Sequence, residues 1–226
     1  MPQGFLAVSS EPGKEVTLEE FQDWYNEEHV PLRLNNLRSF LNGARYSAYD
    51  NETPSWLALY DINDTSTFTK DEYTRLRANR SPREADLVKR LALLDRRTYE
   101  ALEDSGPSSL TSSMNYSNNP SNGLITHGMT GDLDGIRHGQ PISTFHCIDH
   151  LKTGQTVGNT PEEQVVPEYM AVHEFVQPAQ TRAESVRPVV DHAAASSNIC
   201  VVEERFWQLY RVYPCLAQGN LPDASQ

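Results

Sequence analysis

Apolar residues occur along this chain in short bursts, each bounded by turn-forming residues, and the bursts fall into two sets. In the first, GFLAVSS (4–10) is a β-rich run ended by Pro12 and Gly13, which predicts a strand. A helix follows: Thr17 with Glu20 three residues on forms a capping box, and Leu18, Phe21, Tyr25 and Leu32 recur at helical spacing. Pro31 limits where that helix can end, because the residue before a proline is pushed out of the α region. ARYSAYD (44–50) and WLALYDI (56–62) predict two strands around a turn from Asp50 to Ser55 that contains Pro54. Ser81 as N-cap, Pro82 at the first helical position and Glu84 open a second helical region. It runs through Leu87, Leu91 and Leu94 to a last strand near RRTYEAL (96–102).

Strand, helix, strand, strand, helix, strand is the order of the ferredoxin-like plait, with two helices on one sheet face and the other face bare. A bare apolar face must find a partner, and the second set supplies one. GLITHGM, STFHCID, EYMAVHEF and ERFWQLYRVY match the four strands of the first set in the same order. Between the first two of them stands TGDLDGIRHGQP, with three glycines and one proline, so the first helix of this copy is expected to be lost or reduced to a loop. The predicted class is therefore α+β: a first plait over 1–104, a Ser/Asn-rich linker over 105–123, a degenerate second plait over 124–214 and a tail over 215–226.

Composition narrows the partners. Thirty-one acidic against 19 basic residues give −12, which disfavours nucleic acid and anionic membranes and leaves a small molecule or another protein. No apolar run approaches the length of a bilayer span and the start shows no leader, so a cytoplasmic location is expected. Cys147, Cys200 and Cys215 are odd in number and far apart, which argues against a disulfide framework. There is no phosphate loop, dinucleotide fingerprint or G-x-S-x-G elbow. No cofactor is expected.

At WYNEEHVPLRL the pattern W-Y-x-x-E-H-x-P is carried by Trp24, Tyr25, Glu28, His29 and Pro31. With FLNGARY, PSWLALYDI and YTRLRANRSPRE downstream, it resembles the EthD-like proteins of the dimeric α+β barrel superfamily, particularly fungal ones, over most of residues 4–102. The resemblance implies two plaits forming a barrel that holds a small organic ligand. It also implies metal-free chemistry on polyketide-like or aromatic substrates by cyclases, isomerases, decarboxylases or cofactor-free monooxygenases, while other branches bind haem. A second W-Y-x-x-E-H is missing from this chain, so only one such site is expected.

His29 is the leading candidate. It lies four residues from Tyr25 and eight from Phe21, on the apolar stripe, where an imidazole can exchange a proton near neutral pH with Glu28 or Tyr25 fixing its tautomer. Strand parity supplies further candidates: with Leu57 and Leu59 toward the helices, Trp56, Ala58 and Tyr60 face the barrel interior, and by alignment so do Tyr169, Ala171 and His173. The expected catalytic set is thus His29 as acid/base, Tyr25 and Tyr60 as oxyanion donors and His173 as a second donor or relay. Trp24, Glu28, Trp56, Tyr46, Phe145 and Tyr169 are expected to bind the substrate. No metal is expected: His146 and His150 sit on a strand, where positions i and i+4 stand about 13 Å apart. DLDG lacks the rest of a calcium loop. Arg75, Arg77, Arg80 and Arg83 are expected to pair with Asp71, Glu72, Glu84 and Asp86 on the surface rather than to hold a substrate carboxylate.

The expectation is an enzyme of secondary metabolism that needs no cofactor and performs cyclisation, dehydration, isomerisation or decarboxylation on a hydrophobic, polyketide-like molecule. A non-catalytic binding or assembly module is the alternative, followed by a haem protein with His173 or His29 as axial ligand. A homodimer could cover the thin wall left by the missing helix.

Overall fold

Thr17 caps the first helix as its sequence position suggests, accepting the Glu20 amide at 3.1 Å, and Ser81 does the same for Glu84 at 3.0 Å. Gly13 turns the chain between strand and helix with a φ of 76°, a conformation that costs glycine nothing. The computed structural model describes residues 3–103, 121–131, 143–158, 160–175, 183–195 and 198–213. Residues 105–120 of the linker, residues 132–141 of the candidate loop (DLDG among them) and Cys215 lie outside them, while β5 begins at Gly123 and so takes the linker's last position.

The first half holds β1 (Gly4–Glu11), α1 (Leu18–Trp24), a π-helical turn (Tyr25–His29), α2 (Val30–Asn36), β2 (Gly43–Ala48) and β3 (Trp56–Ile62). A short 3₁₀ turn (Thr65–Thr69), α3 (Asp71–Ala78), α4 (Pro82–Arg90) and β4 (Leu93–Glu103) complete it. The second half holds β5 (Gly123–Gly131), β6 (Ser143–Thr153), β7 (Tyr169–Phe175), α5 (Ala183–Ala195) and β8 (Ile199–Tyr213). All strand pairs are antiparallel, and the order β1-β3-β2-β8-β5-β7-β6-β4 closes a barrel. Each half contributes four adjacent strands, and the seams β2–β8 and β4–β6 join them, so one chain closes the barrel alone. None of the described helices is long and apolar enough to cross a membrane.

Three local features depart from the sequence reading. The chain stays helical through Pro31 to Asn36, because the turn before it widens: the Val30 amide bonds the Tyr25 carbonyl, five residues back. A proline clashes with the carbonyl four residues before it, here that of Glu27, and the wider turn makes room. Helix α3 escapes the pattern because DEYTRLRA buries little besides Tyr73. Leu94 belongs to β4 rather than to the preceding helix, which stops at Arg90.

The strand parity is opposite to that expected. Leu57 and Leu59 point into the barrel with Phe5, Tyr46, Tyr99, Leu124, Met170, Val172 and Trp207, drawn from both halves. Trp56, Ala58 and Tyr60 lie with Leu6 and Val8 against Phe21, Trp24, Tyr25 and Leu87 of the helices. Both strand faces are buried, so apolar residues occupy both and polarity cannot reveal which is which. The lumen is a packed core, as eight strands leave space for little beyond side chains.

Candidate functional site

Among the described residues a ligand-sized space lies outside the barrel, between the sheet and its helices. It is a cavity of about 370 Å³ lined by Leu6 and Val8 of β1, His29, Arg33 of α2, and Tyr73 and Arg77 of α3. Arg80, Val88 and Lys89, Leu94 and Arg96 of β4, and Leu151, Thr153, Gly154 and Gln155 complete it. A smaller space of about 170 Å³ opens at one end of the lumen, ringed by Asp95, Arg97 and Glu203, whose charges pair with one another.

His29 is the chamber's titratable base. The π turn ends on it, and the ring is held from two sides. Trp24 packs against it with centroids 4.4 Å apart, and its Nδ1 meets Glu84 Oε1 at 3.0 Å. Glu84 reaches it from the first turn of α4, whose N-terminal dipole favours the carboxylate. His29 is 6% exposed and Glu84 1%, so neither charge is diluted by water. Burial and the nearby Arg33 guanidinium push the imidazole down to about 4, while Glu84 pulls the other way. Against the desolvation that opposes its charge, the hydrogen bond from His29 and the neighbouring cations hold the Glu84 carboxyl below its ordinary range. At neutral pH the imidazole is therefore neutral, Nδ1–H donates to the carboxylate, and Nε2 carries the free lone pair with no partner among the described residues. Glu84 Oε2 is buried without a partner, which leaves that carboxylate poorly solvated and sharpens its pull on Nδ1–H.

The other expected residues are scattered. Tyr25 is fully buried beside His29, its ring 5.0 Å from the imidazole, but it does not line the chamber and its hydroxyl is enclosed without a partner. Tyr60 packs on Phe40 under the helices with its hydroxyl likewise enclosed, and burial pushes its pKa far up. His173 does not share a lumen with Tyr60. It is buried on the outer face of the second half, against His127 at 5.1 Å, and burial lowers it to about 3. Its Nε2 is shut inside the protein, which does not fit an axial ligand of haem. Glu28 accepts the Ser81 hydroxyl at the start of α4 instead of meeting His29.

Trp24 is the wall behind the imidazole rather than a substrate contact. Trp56 belongs to a ring of aromatics around Arg45. Tyr46 and Phe145 fill the lumen, Phe145 lying 4.3 Å from Phe5. Tyr169 sits on the outer face of β7, beside His146. Of these, the expectations for Trp56 and Tyr169 rest on the parity that the structure inverts.

Glu84 and the arginines are what the sequence reading missed. Glu84 looked like a capping-box residue, and its partner stands 55 positions away. Of the four clustered arginines, Arg83 pairs with Asp23 at 2.5 Å and Arg75 bonds the Asp71 carbonyl. Arg80 approaches Glu84 only to 3.7 Å, and Arg77 has no hydrogen bond or ion pair among the described residues.

Comparisons bear on the fold. A protein described as anthrone oxidase-like superposes with a TM-score of 0.55 at 9% identity, over 96% of this chain and 94% of its own. A second, provisionally described as a chlorite dismutase, superposes with 0.52 at 11% identity, over 93% and 96%. The chain has the fold of the dimeric α+β barrel proteins. No family model and no curated protein matches its sequence.

Proposed function

We propose that the chain is an acid/base enzyme whose substrate lies in the chamber between β1, β4 and the helices α2, α3 and α4. The neutral His29, backed by Glu84 and with Nε2 unpartnered, carries the reading. A base so placed removes a proton from carbon next to a carbonyl, and the resulting imidazolium is stabilised by the carboxylate behind it. Arg33 and Tyr73, which line the same space, take the oxyanion role first expected of Tyr25 and Tyr60. Leu6, Val8, Val88 and Leu94 supply the apolar wall that a polyketide-like, carbonyl-rich molecule needs.

Cyclisation, dehydration, isomerisation and decarboxylation proceed from the same enolate, and this family of lyase or isomerase reactions is the one we favour. The likeness to an anthrone oxidase-like protein supports a second outcome, transfer of the carbanion's electrons to dioxygen. Both begin with His29. Anthrone in D2O under argon tests the shared step: deuterium should enter the acidic methylene faster than in buffer alone, and His29→Asn should abolish the excess. Admitting air then separates the branches by oxygen uptake. Exchange at the buffer rate, or exchange untouched by His29→Asn, defeats the proposal.

A further inference from the structure

On a chain of net charge −12, the chamber wall carries Arg33, Arg77, Arg80, Lys89 and Arg96 and not one Asp or Glu. Cations on protein surfaces ordinarily meet carboxylates, and elsewhere on this chain they do: Arg90 pairs with Glu20 and Asp86, Arg205 with Asp50, and Arg97 with Asp95 and Glu203. Inside the chamber the pairing is incomplete. Arg77 makes no hydrogen bond or ion pair among the described residues, and Asp149 and Tyr73 act on its charge only from a distance. Arg80 Nε and Arg96 Nε are both buried without a hydrogen bond, although Arg80 Nε stands 3.7 Å from Glu84 Oε1 and Arg96 reaches Thr98 and Asp149 through its other nitrogens. Buried unpaired donors are costly, and natural proteins keep them where a ligand completes the bonds.

The rest of the wall sets what that ligand can be. Leu6, Val8, Val88, Leu94 and Leu151 make an apolar surface beside the guanidinium groups, so the occupant has a hydrophobic body as well as an anionic group. A guanidinium presents parallel donors in one plane, the geometry that a carboxylate accepts two at a time.

We infer that the chamber is an acid-binding site: Arg77, with Arg80 and Arg96, anchors the carboxylate of an otherwise apolar carbonyl compound and so orients its acidic carbon toward His29. Burial, and after it the neighbouring Arg96 and Arg80, depresses the Arg77 guanidinium below its ordinary value against the pull of Tyr73 and Asp149, a penalty that a bound anion relieves. The inference rests on the chamber being the substrate site, and it makes acids the preferred substrates over neutral ketones such as anthrone, which reach His29 without the anchor.

The test uses 2-naphthoate and its uncharged counterpart 2-naphthamide, titrated into the full chain by calorimetry. A charge-assisted hydrogen bond is worth about ten- to a hundredfold in affinity. The naphthoate should bind that much more tightly than the amide, Arg77→Gln should erase the preference, and Arg77→Lys should restore part of it. Because Arg77 contacts no other residue by hydrogen bond or ion pair, its replacement leaves folding intact, which the melting curve verifies. Equal affinity for both probes, or a preference that survives Arg77→Gln, overturns the anchor. His29→Asn keeps the preference while losing proton exchange, so failure of the acid/base reading and failure of the anchor give different results.

Discussion

Replacing Glu84 by Gln tests the site most directly, because it removes one charge and almost no volume. Glu84 Oε1 lies 3.0 Å from His29 Nδ1, and both side chains are nearly solvent-free. When His29 accepts a substrate proton, the imidazolium and the carboxylate form an ion pair with charge centres roughly 4 Å apart, worth about 4 kcal/mol at an effective dielectric of about 20. The amide of Gln keeps a hydrogen-bond acceptor but not the charge, so most of that energy leaves the transition state. At about 1.4 kcal/mol per decade, the deuterium-exchange rate should fall about a hundred- to a thousandfold, with naphthoate affinity not reduced, since Arg80 loses a competing carboxylate at 3.7 Å. Glu84 also raises the His29 pKa against burial, so Glu84→Gln should drive it below its present value of about 4. Nitrogen NMR of the labelled imidazole reads the tautomer: Nδ1–H should dominate in the parent and lose that dominance in the variant. A rate within threefold of the parent, or a parent imidazole that titrates near 6.5, refutes the reasoning.

Three further outcomes follow from the packing and the charges. Trp24 is fully buried and braces the imidazole, so Trp24→Ala should cost about 3–5 kcal/mol in denaturant unfolding. Arg45 is buried among Phe21, Tyr25, Trp56 and Tyr210 with Nε and Nη2 unpaired. Two orphan donors cost about 1–3 kcal/mol each, while a cation over aromatic rings returns about 2 and the Nη1 bond to Asn26 Oδ1 at 3.3 Å about 1, so Arg45→Met should leave stability nearly equal, and a loss above about 2 kcal/mol contradicts that balance. His29 and His173 are held neutral in the fold at about 4 and about 3 against an ordinary 6.5, so the unfolded chain takes up protons that the fold refuses. Their stabilising share is complete above pH 6.5 and is lost on acidification toward pH 4, each contributing a slope of about 1.4 kcal/mol per pH unit, and His173→Phe should make the urea-midpoint curve shallower over that window.

The eight strands were legible because each is a compact apolar run between turn residues, and the two helix starts were legible through Thr17 and Ser81. Their pairing across the closed barrel depends on long-range contacts, and the repeat in the sequence conveyed only its order. His29 stood out through its neighbours in WYNEEHVP. Its environment did not, because strands covered on both faces show no alternation to say which side meets the helices. Glu84 shows the same limit: a glutamate three residues after a serine cap reads as local chemistry, and only the packing of α4 beside the π turn reveals that its carboxylate serves His29. Arg77 illustrates the converse. Charged runs on helices generally pair with nearby acids, and nothing local to α3 announces that this guanidinium is left facing a cavity.

The two halves use equivalent positions to opposite ends, which explains why one motif suffices. By the matched strands, Leu6, Val8 and Tyr60 of the first half correspond to Ile125, His127 and His173 of the second. In the first half Leu6 and Val8 pack with Tyr73 of α3 and Leu87 of α4, and the chamber opens beside that contact, lined by Leu6, Val8, Arg77 and Val88. In the second, Val186 and Val190 of α5 pack on Ile125 and Phe175, filling the corresponding space. His127 and His173 turn toward each other there, and His127 reaches Glu204 at 3.4 Å. Glu204 is already engaged by Arg187, so it is not free to polarise His127 as Glu84 polarises His29. The second half instead lends the first a wall, since Leu151, Thr153, Gly154 and Gln155 close the chamber opposite the helices. A base in an open space and two histidines in a filled one are the contrast on which the proposed chemistry is assigned to the first half and support to the second.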